Sequence, residues 1–121
     1  MRHEIEHHHQ CELIHWRDWS MRQIPELRML FAIPNGGKRN IITAKKMKAE
    51  GVTAGVPDLF LAVPRGIYHG LFIEMKAPKG KSTDKQASMQ NHLTQYGYLV
   101  LVMYNWIDAK IAIEDYLKLK K

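Results

Sequence analysis

The stretch GVPDLFLAVPRGIYHGLFIEMK, residues 55–76, contains two apolar runs of strand length separated by a turn that carries proline and glycine. Leu59–Val63 and Leu71–Lys76 therefore predict the two strands of a β-hairpin. Asp58 precedes the first strand and Glu74 lies in the second, so antiparallel pairing across the turn would bring the two carboxylates together. Carboxylates beside apolar strands cost free energy unless another group compensates their charge. The stretch thus predicts an acidic site built on a hairpin.

Alternation along the second strand adds a lysine to this site. Glu74 and Lys76 share one face of the strand, because residues i and i+2 point the same way. Met75 points to the opposite side, which predicts a core side chain whose main-chain carbonyl remains available as a ligand. Mg²⁺ and Mn²⁺ prefer hard oxygen ligands, usually a few carboxylates and water. Lys76 could hold an attacking water or stabilise charge on a transferring phosphate group.

The bulk composition favours an anionic partner. The chain has 121 residues, and its 18 Lys and Arg outnumber 12 Asp and Glu, giving a net charge of +6. Such a charge around an acidic site favours a polyanion such as nucleic acid. The length predicts one domain over residues 1–121. The single cysteine, the polar N-terminal segment and the lack of any apolar run near ~20 residues predict a cytoplasmic protein with no membrane partner.

Periodicity predicts the remaining elements. Helices are expected over residues 4–22, 40–50, 83–96 and 107–119, and Ser82 or Thr83 can cap the third of them. Two further strands are expected over Leu27–Ile33 and Tyr98–Tyr104. Helices interleaved with strands predict an α/β fold, with a central mixed β-sheet flanked by helices.

Several motifs follow one another in a fixed order along the chain. They are Pro34-Asn35-Gly36-Gly37, Gly55–Leu59, His69–Lys76, Gln86 and Gly97-Tyr98. The central part resembles the Pro-Asp…(Asp/Glu)-x-Lys motif of the restriction-endonuclease-like superfamily. The whole set, over about residues 4–119, more specifically resembles the virus-type replication-repair nuclease (VRR-NUC) domain in its small stand-alone form, which is often phage-encoded. For a phage protein, the expected compartment is the cytoplasm of the bacterial host.

This resemblance implies a restriction-endonuclease-like core and metal-dependent hydrolysis of phosphodiester bonds in DNA, with Mg²⁺ or Mn²⁺ as the cofactor. The implied catalytic residues are Asp58, Glu74, Lys76 and Gln86. The implied metal ligands are Glu6, Asp58, Glu74 and the Met75 carbonyl. Glu4 and Glu12 remain alternatives to Glu6, and Gln10 is a further site-lining candidate.

Basic residues near these motifs are candidates for phosphate contacts. They are Lys38, Arg39, Lys45, Lys46, Lys79 and Lys81. Phosphate contacts position a protein on DNA without reading its sequence. DNA is therefore the expected partner, rather than a small-molecule substrate. His3 and His7 have the i, i+4 spacing of a metal-binding pair, but a solvated or DNA-facing helix surface fits the histidine-rich segment better.

The resemblance also bears on assembly and on the form of the DNA. Single-domain members of the family are thought to act as homodimers on branched DNA such as four-way (Holliday) junctions. A twofold dimer would supply the symmetry of two matched cuts, and Trp16, Trp19 and Trp106 are candidate interface residues. Two alternatives remain: a catalytically weak junction-binding module, and a flap or sequence-specific endonuclease with the same site.

Overall fold

The computed structural model describes residues 2–34 and 41–121, and within them it confirms the α/β fold. The elements are α1 (Arg2–Ser20), a 3₁₀ helix (Pro25–Met29), β1 (Leu30–Ala32), α2 (Ile41–Ala49), β2 (Leu59–Leu61), β3 (Leu71–Met75), α3 (Asp84–Gln95), β4 (Leu99–Met103) and α4 (Trp106–Leu117). The strands form a four-stranded sheet in the order β1-β2-β3-β4. The first two pairings are antiparallel and the third is parallel. None of the helices described is long and apolar enough to cross a membrane.

The predicted hairpin of β2 and β3 is present. Leu59 pairs with Ile73 and Leu61 pairs with Leu71. One step beyond this register, Asp58 lies opposite Glu74, as the antiparallel arrangement requires. The sheet therefore brings together two carboxylates that are far apart in sequence.

The predicted strand over Leu27–Ile33 is wrong in its first half. Residues 25–29 form a 3₁₀ helix, and only Leu30–Ala32 pairs with β2. Pro25 lies at the start of this helix, where its fixed φ angle and missing N–H are tolerated. The Leu27 N–H bonds to the Ile24 carbonyl at 3.0 Å, so the local turn satisfies this backbone group. A short apolar run does not distinguish a strand from a buried helical turn.

The two faces of the sheet pack against different parts of the chain. One face packs against α1 and α4 to form the main core. This core includes Leu13, Leu27, Leu30, Leu59, Leu61, Leu71, Ile73, Met75, Ala109, Ile113 and Tyr116. The other face carries Phe60 stacked on Phe72 at 4.3 Å between ring centroids, next to Tyr98. Residues of β3 are buried on both faces, so the site begins inside the protein rather than on its surface.

Candidate active site

Asp58 is held in place by its neighbours on both sides. Its Oδ2 accepts a 2.8 Å hydrogen bond from the Met75 main-chain N–H, and its carbonyl accepts one of 2.8 Å from Ile33. Pro57 before it is fully buried, which restricts the backbone leading into β2. The carboxylate is therefore fixed against β3 through its Oδ2 atom.

Glu74 is the buried member of the acidic pair. Only 2% of the residue is exposed, and its Oε1 atom has no hydrogen-bond partner among the described residues. Burial is the main cause that raises the pKa of Glu74 from 4.5 to about 9, and the charge and hydrogen bonding of Asp58 add to it. The Lys76 ammonium, with Nζ 3.9 Å from Oε2, lowers this pKa in part. Glu74 therefore needs a proton or a cation to be stable at this position.

Gln86 connects the acidic pair to the first turn of α3. Thr83 caps this helix: its Oγ1 accepts the Gln86 N–H at 3.2 Å, and the Gln86 Oε1 accepts the Thr83 N–H at 2.9 Å. The same Oε1 accepts a 2.7 Å hydrogen bond from the Lys76 Nζ. The Nε2 of Gln86 donates to the Glu74 Oε2 at 3.4 Å. One amide thus closes a capping box and orients both Glu74 of β3 and Lys76, the residue directly after that strand.

These groups lie in a cleft of about 950 Å³ between α1, the hairpin and the start of α3. From α1 the cleft is lined by Arg2, His3, Glu6, His7 and Gln10. Glu6 also contributes a small electrostatic increase to the pKa of Glu74, so its carboxylate lies within electrostatic reach of the pair. Glu4 and Glu12 do not line the cleft, and Glu12 lies 3.9 Å from His15 instead. Glu6 is therefore the glutamate that α1 brings towards the site.

The donor set fits a hard divalent cation. The Asp58 and Glu74 carboxylates lie close together, the Glu74 Oε1 has no hydrogen-bond partner among the described residues, and burial raises the pKa of Glu74 to about 9. Within residues 2–34 and 41–121, no three His, Cys, Asp or Glu side chains converge closely enough to hold an ion on their own. Mg²⁺ commonly binds through one or two carboxylates and keeps several waters. A magnesium-type site therefore suits this cleft better than a closed zinc site.

The predicted phosphate contacts are dispersed. Lys81 lines the cleft, whereas Lys79 is exposed in the same loop but does not line it. Lys45 and Lys46 are exposed on α2 and do not line the cleft. Lys38 and Arg39 lie outside the described residues. The basic surface near the acidic pair is thus formed in part by residues other than those predicted.

Arg2, His3 and His7 are the cleft-lining residues on α1 that the sequence analysis did not assign to the acidic site. Arg2, His3, Glu6, His7 and Gln10 follow the i, i+1, i+4 spacing of one helix face. From the sequence, this spacing shows that the five residues share one face of α1, but it does not show that this face meets the hairpin. Cys11 is half-buried, with its Sγ 3.5 Å from the His7 Nε2.

Comparisons with known proteins agree with the fold. The family model of the VRR-NUC domain matches residues 1–106. A solved structure described as a VRR_NUC domain protein is similar to this chain, with a TM-score of 0.80 and 30% sequence identity. That match covers 97% of this chain and 91% of the other. No curated protein matches the chain. The chain therefore belongs to the VRR-NUC domain family, whose nuclease-type function is the processing of DNA.

Proposed function

We propose that the protein is a metal-dependent endonuclease that hydrolyses phosphodiester bonds in branched DNA such as four-way junctions. Membership of the VRR-NUC family supports the general part of this activity, which is nuclease-type processing of DNA. The observation that supports metal dependence is the buried Glu74 carboxylate, which lies beside Asp58 and has one oxygen without a partner in the part of the chain that the structure describes. A divalent cation between these carboxylates would offset their repulsion and their loss of solvation.

Different residues of the site would bind the metal and stabilise the reacting phosphate. Asp58, Glu74 and the Met75 carbonyl would hold Mg²⁺ or Mn²⁺, and Glu6 would approach from α1, directly or through water. The bound ion would lower the pKa of a water molecule and polarise a phosphate oxygen. Lys76 would hold the attacking water or stabilise the charge that develops on the phosphate. Its ammonium is already oriented by the 2.7 Å hydrogen bond to Gln86, so little reorganisation is needed.

The distribution of charge in the cleft suits a phosphodiester backbone. Glu74 and Lys76 lie at its buried floor, while Arg2 and Lys81 are exposed at its mouth. A strand laid across the mouth would meet cationic groups from α1 and from the loop before α3. Its scissile phosphate would lie above the acidic floor. Such contacts position DNA without specifying its sequence, which favours recognition of DNA structure over recognition of a base sequence.

A homodimer completes the proposal, because two symmetric cuts in a junction require two sites related by a twofold axis. Trp16 and Trp106 pack partly against the core, whereas Trp19 is 85% exposed. Trp19 is therefore the tryptophan best placed to contact a second copy, since exposed aromatic residues are enriched at interfaces.

The deciding experiment compares four-way junction, flap, single-stranded and plain duplex DNA of matched sequence, each with Mg²⁺, Mn²⁺ or EDTA. Symmetric, metal-dependent cuts in the junction that are absent from Lys76→Ala would support the proposal in full. Preference for flaps would retain the chemistry and remove the junction assignment. Tight binding without cleavage of any substrate would favour a junction-binding module instead.

A further inference from the structure

We propose that Gly55 is a positioning residue for the side-chain amide of Gln86. Because Gly55 has no side chain, the loop before β2 can lie directly on the first turn of α3, and this contact sets the place of Gln86 relative to Asp58 and Lys76. The proposal adds a residue to the proposed nuclease site. Its kinetic test rests on the proposed nuclease function, whereas its structural test by NMR does not.

The contact at Gly55 is with main chain, not with a movable side chain. A Cβ atom added to Gly55 would lie 2.6 Å from the Lys85 carbonyl oxygen, 2.8 Å from its carbonyl carbon and 3.2 Å from the Gln86 nitrogen. No rotamer change can relieve contacts with a helix backbone. Any side chain at Gly55 therefore forces either the loop or the first turn of α3 to move.

The loop has little freedom to give way. Three residues after Gly55, Asp58 is held by the Met75 N–H at 2.8 Å and through its carbonyl by Ile33. Pro57 between them is fully buried. The displacement would therefore fall largely on α3, which carries no buried residues and contacts mainly β4.

A displaced α3 carries Gln86 away from the two groups that it orients. The Lys76 Nζ to Gln86 Oε1 distance is 2.7 Å, and the Gln86 Nε2 to Glu74 Oε2 distance is already 3.4 Å. A shift of a few tenths of an ångström would break the longer contact, and a larger one would break both. Misplacement of a catalytic group by about 1 Å can reduce the rate on the order of 10²-fold.

The kinetic test is Gly55→Ala with Gly51→Ala as the matched control. Both glycines have positive φ angles, +91° and +102°, so both substitutions impose backbone strain. None of the described residues lies within 4 Å of a Cβ added at Gly51, so only Gly55→Ala should displace α3. We expect kcat to fall by roughly 10- to 100-fold in Gly55→Ala with KM nearly unchanged, and wild-type rates in Gly51→Ala. A wild-type kcat in Gly55→Ala, or equal losses in both variants, would overturn the proposal.

A double-mutant cycle with Gln86→Ala tests the route of the effect. If Gly55 acts through the amide, Gly55→Ala should reduce kcat little further once Gln86 is replaced. An undiminished loss in that background would show that Gly55 acts through the fold and would overturn the assignment.

A DNA-free and metal-free measurement separates this proposal from the proposed function. In wild-type protein, NMR should show a nuclear Overhauser effect between the Gly55 α-protons and the Gln86 main-chain amide. Gly55→Ala should also shift the side-chain amide signals of Gln86, whereas Gly51→Ala should not. Absence of the wild-type contact would overturn the proposal even if Gly55→Ala does not fold. Presence of both effects in a protein that cleaves no DNA would retain the positioning role and remove the nuclease function.

Discussion

The Lys76 ammonium donates a 2.7 Å hydrogen bond to the amide oxygen of Gln86 and so joins β3 to the start of α3. The lysine is 9% exposed, and its charged neighbour is Glu74, with an N–O distance of 3.9 Å. The amide oxygen is itself fixed by the Thr83 N–H. A long and flexible side chain is thereby held in one orientation before any substrate binds, which is the preorganisation that electrostatic catalysis requires.

Replacement of this lysine should remove catalysis and spare binding. Lys76→Ala should reduce the single-turnover cleavage rate on the order of 10²- to 10³-fold, because the proposed site would lose the preorganised cation that stabilises the reacting phosphate. Affinity for DNA, measured by fluorescence anisotropy in Ca²⁺, should change little. Lys118→Ala is the matched control, since Lys118 is exposed and lies outside the cleft. Normal cleavage by Lys76→Ala would contradict the assigned site.

The cap of α3 should contribute to both stability and activity. Thr83→Ala removes the oxygen that accepts the Gln86 N–H, and loss of such a cap typically costs about 1 kcal/mol. We expect a lower urea midpoint, accompanied by a smaller loss of cleavage than in Gln86→Ala. Thr94→Ala, near the other end of the same helix, is the control because the Thr94 hydroxyl donates to the Gln90 carbonyl and, among the described residues, to no other group. Equal urea midpoints for the two threonine variants would show that the capping box contributes no stability.

The stability of the metal-free protein should fall as the pH rises from about 4.5 towards 9. Glu74 has an ordinary pKa of 4.5 that the fold raises to about 9, so across this window the folded state holds a proton that the unfolded state has lost. Stability then decreases with pH until the folded pKa is passed. Thermal unfolding of wild type and Glu74→Gln tests this relation. The variant cannot ionise, so its slope should be shallower. Identical slopes would mean that Glu74 is not the group responsible.

Metal binding should distinguish the glutamates of α1. Glu6→Gln should weaken Mn²⁺ binding measured by calorimetry, because Glu6 lines the cleft and acts electrostatically on Glu74. Glu4→Gln and Glu12→Gln should bind Mn²⁺ as the wild type does, since neither residue lines the cleft. Binding by the wild type should also release protons as Glu74 ionises. A loss of affinity in Glu4→Gln or Glu12→Gln but not in Glu6→Gln would reassign the α1 ligand.

Local sequence patterns were sufficient to predict the hairpin and its acidic pair. Alternation placed Glu74 and Lys76 on one face and the Met75 side chain, now 1% exposed, in the core. The turn length set the antiparallel register that puts Asp58 opposite Glu74. Both follow from the two-residue period of a strand, a short-range property of the backbone. The strand predicted over Leu27–Ile33 was wrong in its first half, because an apolar run does not show that Pro25 begins a 3₁₀ helix.

Long-range packing decided the rest of the site. Nothing in the first twenty residues shows which face of α1 turns towards the hairpin, so the sequence left Glu4 and Glu12 as alternatives to Glu6, and it is the docking of α1 against the sheet and α4 that brings Glu6 to the cleft. The contact of Gly55 with the Lys85 carbonyl joins residues thirty positions apart and leaves no periodic signal in the sequence. Periodicity therefore specified the strands and the acidic pair that they carry. The docking of helices, which depends on side-chain packing between distant segments, specified the walls of the cleft and the position of Gln86.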